Sequence, residues 1–325
     1  MRCLSFFLWF FLSASLIGAA PPPQDGLYNE FDARGHVIKT VMYRWGVPNG
    51  RFRTFYPDGR VKGWGNYQNG KLEGMAQGYY PSGILRLKSF YSDGKLHGVS
   101  TIYYTNGRPE VEITYIRGMQ DGPTWEYDEH GRPLIEHQFV WGKEQGITKE
   151  FYPNAQVKRE LEYKNGRQIG TIREYYEDGS LRGLFESLDG KKNGHSREYY
   201  EAGQLMREGT YKNDRLDGDI STFYLSGKLK SRVHYDQGLL NDPHWCEYYE
   251  GGAVMDTVSV YQGKREGPFK WLYPDGSIKI QGLYKDNKQE GVFKTYSVKG
   301  WLWYEEFFAH GDLLKRREYN AQGVW

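Results

Sequence analysis

A glycine returns every 24 residues through most of this chain: Gly26, Gly50, Gly74, Gly98, Gly122, Gly146, Gly170, Gly194 and Gly218. A period of roughly 20 to 50 residues marks an array that grows by adding units, so the length of 325 residues does not convert into a count of ordinary domains. Each 24-residue tile carries two turn signals. The first is a three-residue group ending in glycine, as in Pro57-Asp58-Gly59 and Pro81-Ser82-Gly83. It suits a hairpin loop whose last position is left-handed, where glycine meets no Cβ penalty. Ala155 stands in that position in one tile and predicts a more strained turn. The second signal is a pair such as Asn69-Gly70 or Asp93-Gly94, a strong mark of a two-residue hairpin. Asp214 and Asn287 replace its glycine, and both residue types tolerate left-handed backbone. The Gly50 and Gly74 class predicts a bulge in the returning strand.

Two strands per tile lie between these turns. Phe55, Tyr79, Tyr103, Tyr127, Phe151, Tyr175, Tyr199 and Phe223 form one column. Val61, Leu85, Val157 and Leu181 form a second, and Tyr67, Tyr91, Tyr115 and Tyr163 a third. A three-residue loop sets Phe55 opposite Val61, and even spacing joins the third column to them. That face is the expected core. The same register sets Thr54 opposite Lys62, Glu150 opposite Lys158 and Glu174 opposite Arg182, pairing opposite charges across the ladder. Tyr56, Tyr80, Tyr104, Tyr152, Tyr176, Tyr200, Tyr224 and Tyr273 then fall on the second face, with Arg60, Arg86 and Arg182 among their neighbours. An aromatic stripe of that kind suits a protein or sugar partner, so these tyrosines are the candidate binding face.

The period breaks once. Across residues 239–252 the glycine slot holds Asp242 or Pro243, and one residue is inserted, since Gly252 lies 25 beyond Gly227. This reads as a bulge or kink, and as the first place to look for a role beyond scaffolding. Residues 1–20 are of different material. Met1-Arg2, an apolar run from Leu4 to Ile17, and the small Gly18-Ala19-Ala20 follow the order of a secretory signal peptide. Residues 21–25 then form a Pro-rich linker, and the array fills 26–325. Of the two cysteines, Cys3 lies in this leader, so the mature chain closes no internal disulfide.

The run Tyr79-Tyr80-Pro81-Ser82-Gly83 followed by Tyr91-Ser92-Asp93-Gly94-Lys95-Leu96-His97-Gly98 resembles a MORN repeat. It is closer to the bacterial variant in YwqK-family antitoxins. The resemblance covers about residues 26–325 and implies an all-β chain. The expected fold is an elongated, twisted antiparallel β-meander of about twelve such β-hairpin repeats, on the order of 110 Å long. It also implies binding roles, including contact with a toxin or with lipid.

Chemistry is thinly signalled. Lys plus Arg number 43 against 41 Asp plus Glu, which gives no electrostatic case for nucleic acid or for a lipid surface. No metal-ligand or nucleophile motif occurs among the eight histidines, and no cofactor is expected. His244 with Cys246 is the single His–Cys neighbour pair. Glu126, Glu150, Glu174 and Glu198 form an acidic column best read as a charge ladder, and the Asp-Gly turns each offer one carboxylate where calcium needs several. The expectation is therefore an exported, non-catalytic scaffold binding a protein or glycan, with periplasmic, cell-surface or secreted placement. The alternatives are a toxin-neutralising protein and, less favoured, an envelope-acting hydrolase.

Overall fold

The computed structural model describes residues 23–320 and the short strand Gly323–Val324. The proposed leader therefore lies outside the described residues. The chain is all-β, and its strands run as an antiparallel hairpin meander. Contacts divide it into two units: residues 1–157 with 163–167, and residues 158–162 with 168–325.

In the first unit, Val47–Phe55 pairs with Val61–Gln68 across the three-residue loop. Gly59 takes φ of 83° there, and its N–H donates to the Tyr56 carbonyl at 2.9 Å. Gln68 pairs with Lys71 around Asn69-Gly70, whose φ values are 49° and 83°. Two successive positive φ angles define the hairpin turn that matches strand twist. The glycine-poor turns comply: Ala155 adopts φ of 65°, and Asp214 and Asn287 each 67°. Gly50 sits where the register with Val37–Arg44 shifts, at φ of 113°, so this glycine class does mark a bulge.

A second bulge was not legible in the turn signals, and it reverses the assignment of faces. Phe55 pairs with Val61, but Thr54 pairs with Gly63, leaving Lys62 as the extra residue. The shift recurs in both units, as in Gly78 with Leu87 and Glu174 with Gly183. Thr54 is thus not opposite Lys62, and Glu174 is not opposite Arg182. An extra residue flips the alternation, so Phe55 and Val61 leave the face that holds Tyr67.

The buried face is built on a different column. Phe52, Ala76, Ser100, Thr124 and Thr148 in the first unit are buried, as are Ile172, Ser196, Ile220 and Phe293 in the second. Two of their cross-strand partners complement them in size, since Phe52 faces Gly65 and Ser100 faces Ile113, while Ser196 faces Gly209 and Ile220 faces Val233. A Cβ at Gly65 would lie 2.7 Å from Cε1 of Phe52 and 3.1 Å from the Ala76 Cβ. That glycine is required for space. Phe52 is fully buried as a result, a transfer worth about 1.5–3 kcal/mol. The Tyr67 column does join this face, with Tyr91 and Tyr115 buried. The face opposite, carrying Phe55, Val61 and Trp64, is termed the open face below.

Candidate binding surface

Alternation along Val47–Phe55 carries Tyr56 onto the buried face, beside Phe52 and Thr54. Its hydroxyl donates to the Tyr79 carbonyl at 2.6 Å, 23 residues on. The same bond recurs from Tyr80 to Tyr103, Tyr104 to Tyr127, Tyr176 to Tyr199, Tyr200 to Phe223, Tyr224 to Tyr248 and Tyr273 to Tyr296, at 2.7–3.0 Å. Each hydroxyl satisfies a carbonyl of the next tile. Burial raises the phenol pKa of Tyr56, Tyr80, Tyr104 and Tyr224 above its ordinary value. The bulge residue roofs the ring in three tiles: Arg86 stands 5.4 Å from the Tyr80 ring, Lys230 5.9 Å from Tyr224 and Lys279 5.7 Å from Tyr273. All eight tyrosines expected to meet a partner, Tyr152 included, are half-buried. Tyr249 belongs to this series too, bonding the Leu272 carbonyl at 2.8 Å, and was hidden by the inserted residue.

The aromatic column on the open face is the one expected in the core. In the first unit Trp125 stacks on Tyr127 and Phe151, with ring centres 6.2 and 5.8 Å apart. Tyr127 donates to Glu112 at 3.1 Å, and burial, reinforced by that carboxylate, pushes its phenol up to about 12. In the second unit the open face has a recess of about 720 Å³, within the range of small-ligand sites. Cross-strand pairs build it: Thr171 with Glu186, His195 with Thr210, Arg197 with Glu208 and Ser221 with Arg232. Arg197 and Glu208 approach to 3.8 Å, and Asp219 holds the His234 ring nitrogen at 2.7 Å. Acids and bases alternate, so the recess offers donors and acceptors of both signs.

Cys246 and the His244 backbone each have a polar partner outside the pair. The Cys246 thiol lies 3.2 Å from the Tyr248 hydroxyl, and the His244 backbone N–H donates to Asp242 at 2.8 Å. Three members of the acidic column have basic neighbours: Glu198 meets Arg207 at 2.5 Å, Glu174 meets Lys192 at 3.6 Å and Glu126 lies 3.9 Å from the His137 ring. The turn aspartates cap their own loops, as Asp58 accepts the Arg60 N–H at 3.0 Å and Asp178 the Ser180 N–H at 2.7 Å. The Arg60 guanidinium, then its N–H, holds the Asp58 carboxyl below its ordinary range, and the Ser180 hydroxyl, then its N–H, does the same for Asp178. Among the described residues no three His, Cys, Asp or Glu side chains gather to hold a metal.

The break at 239–252 is a bulge, as expected. Asp242 pairs with Val260 and Trp245 with Val258, so one extra residue is absorbed around Pro243-His244. Beyond it Glu247 faces Asp256, and burial raises both carboxyl pKa values, with Asp256 adding to the effect on Glu247. A further set of positions went unread. Glu73, Gln145, Asp217, Glu266 and Glu290 each accept the first backbone N–H of the next two-residue turn, at 2.8–3.1 Å. Their 24-residue recurrence, with Asp25 bonding Trp45, was the available signal.

Six segments match the family model described as MORN repeat variant: residues 72–93, 96–117, 144–165, 192–213, 216–237 and 265–286. Each of those segments is similar to one copy of that repeat. No curated protein matches it. Among solved structures, the chain aligns at 14% identity and a TM-score of 0.18 with a chain of "Crystal Structure of TcdB2-TccC3-Cdc42", covering 91% of this chain and 19% of that one. A Photorhabdus luminescens Tc holotoxin pore structure aligns at 12% identity and a TM-score of 0.15, covering 92% and 18%. The chain thus spans about a fifth of those chains' length.

Proposed function

Taking the chain as a repeat protein that carries MORN-variant tiles, we propose that it is an exported, non-catalytic scaffold. It holds a protein or glycan partner against the open face, with the recess of the second unit as the seat. The recess carries this reading. Its polar side chains of both signs, Glu186, Arg197, Glu208, Asp219 and Arg232 among them, suit a partner oriented by hydrogen bonds. Export rests on the leader-like order of residues 1–20, and N-terminal sequencing of the mature protein checks it.

The test is capture of partners by the mature chain, compared with the double variant Arg197→Glu, Arg232→Glu. Arg197 is exposed, so the charge reversal should leave circular dichroism and melting unchanged while the captured partner is lost. Capture that survives the reversal would place the interface elsewhere. The tile's likeness to antitoxin-type repeat proteins supports a second reading, neutralisation of a toxin. That reading requires the leader to be retained and one protein to dominate the captured material.

A further inference from the structure

The edge of the second unit formed by its two-residue turns holds a separate recess of about 420 Å³, lined by Lys191, Lys212, Asn213, Arg215 and Gln237. At two other tiles the same position carries a lysine paired with an aspartate that opens the next turn. Lys264 meets Asp286 at 2.8 Å, and Lys71 meets Asp93 in the same way. At Lys191 and Arg215 that turn residue is Asn213 and Gln237, 22 residues on, so an amide stands where the acid would be. The nearby acids are turned away. Asp214 accepts the Lys192 backbone N–H at 2.8 Å and Asp217 the Gln237 N–H at 3.1 Å. Asp189 and Asp236 neighbour the turns in sequence but do not line the recess. Among the described residues no carboxylate pairs with Lys191, Lys212 or Arg215. The Arg215 stem runs close over Gly238, where an added Cβ would lie 3.4 Å from the Arg215 Cβ.

We propose that this recess binds a tetrahedral oxyanion, the phosphate or sulfate group of a ligand. Three cations and two side-chain amides line it with no acid among them, and a guanidinium suits two oxygens of such a group. The site is distinct from the open-face recess and does not depend on the function proposed above.

The experiment titrates the full mature chain with sodium phosphate and sodium sulfate at constant ionic strength, against chloride, by calorimetry. Dextran sulfate and plain dextran form a second arm. Both inorganic ions should bind, and Lys191→Gln with Arg215→Gln should weaken them by at least about tenfold. The variant Asn213→Asp, Gln237→Asp should abolish binding while folding normally, because Asp occupies that turn position at Asp93, Asp189 and Asp286. Lys264→Gln should change nothing. Binding of dextran sulfate as well would support a polymer-borne group, and its exclusion a free ion. No binding beyond chloride, binding kept in the double-Asp variant, or a response to dextran sulfate alone would overturn the site.

Discussion

The tyrosine hydroxyls are the smallest parts on which the array depends. A phenol that bonds a carbonyl one tile away links two units of structure through a single atom. Tyr200→Phe removes the donor to the Phe223 carbonyl and should destabilise the chain by about 1 kcal/mol in urea unfolding. Joint replacement of Tyr176, Tyr200 and Tyr224 by Phe should lower the melting temperature but leave capture by the folded chain intact. The opposite change is expected at the buried face. Ser89 and Ser100 are fully buried, and their hydroxyls have no hydrogen-bond partner. Ser89→Ala or Ser100→Ala should therefore raise stability, by up to about 1 kcal/mol each. An unchanged or lower urea midpoint would show that the hydroxyls are satisfied in solution.

The hairpin is the scale at which the reading from sequence succeeded and then failed. Turn positions were legible because left-handed backbone admits few residue types, and Gly59, Asn69 and Gly70 announce themselves. The faces were not. The bulge residue is a cation in many tiles, as at Lys62, Arg86 and Lys230, but a cation equally suits an ordinary exposed strand position, and Leu134 stands there in another tile. The true core column mixes Phe52, Ala76, Ser100 and Thr124, so it does not look apolar, while the uniformly aromatic Phe55 column does and lies on the open face. Two substitutions test this geometry. Gly65→Ala should cost about 1–3 kcal/mol, because the new methyl meets the Phe52 ring. Ala155→Gly should stabilise by up to about 1 kcal/mol, by relieving left-handed strain at φ of 65°.

Two carboxylate clusters, one in each unit, should respond to pH in opposite senses. In the second, Glu247 and Asp256 have folded-state pKa values raised by burial. Their contribution is fully present below the unfolded carboxyl pKa and is lost as pH rises through the raised values. In the first, burial works against the charge on Glu144, but hydrogen bonds from His137 and Thr148 outweigh it and lower the pKa. That contribution is present above the unfolded value and is lost as pH falls through the lowered one. Hydrogen exchange resolved by segment should show the ladder around Glu247 loosening as pH rises from acid toward neutral. Glu247→Gln should flatten that profile, and a profile equal to the wild type would remove the pair as its cause. The candidate site was legible only as a class. The expected tyrosine face is half-buried, and the recess around Arg197 and Arg232 draws on cross-strand pairings that no spacing announces.

The bulge at Pro243-His244 has a consequence for how such a chain tolerates change. In an ordinary sheet, one inserted residue inverts every side chain up to the next turn. Here it is absorbed between Asp242 and Trp245, and by Trp245 the pairing partner is again the expected Val258. The turns that follow restart the count, so Phe269 faces Gly282 and Phe293 is buried as if nothing had been added. Each hairpin keeps its own time. An error of one residue stays in the tile where it arose, and single tiles are free to drift in sequence while their neighbours hold the pattern.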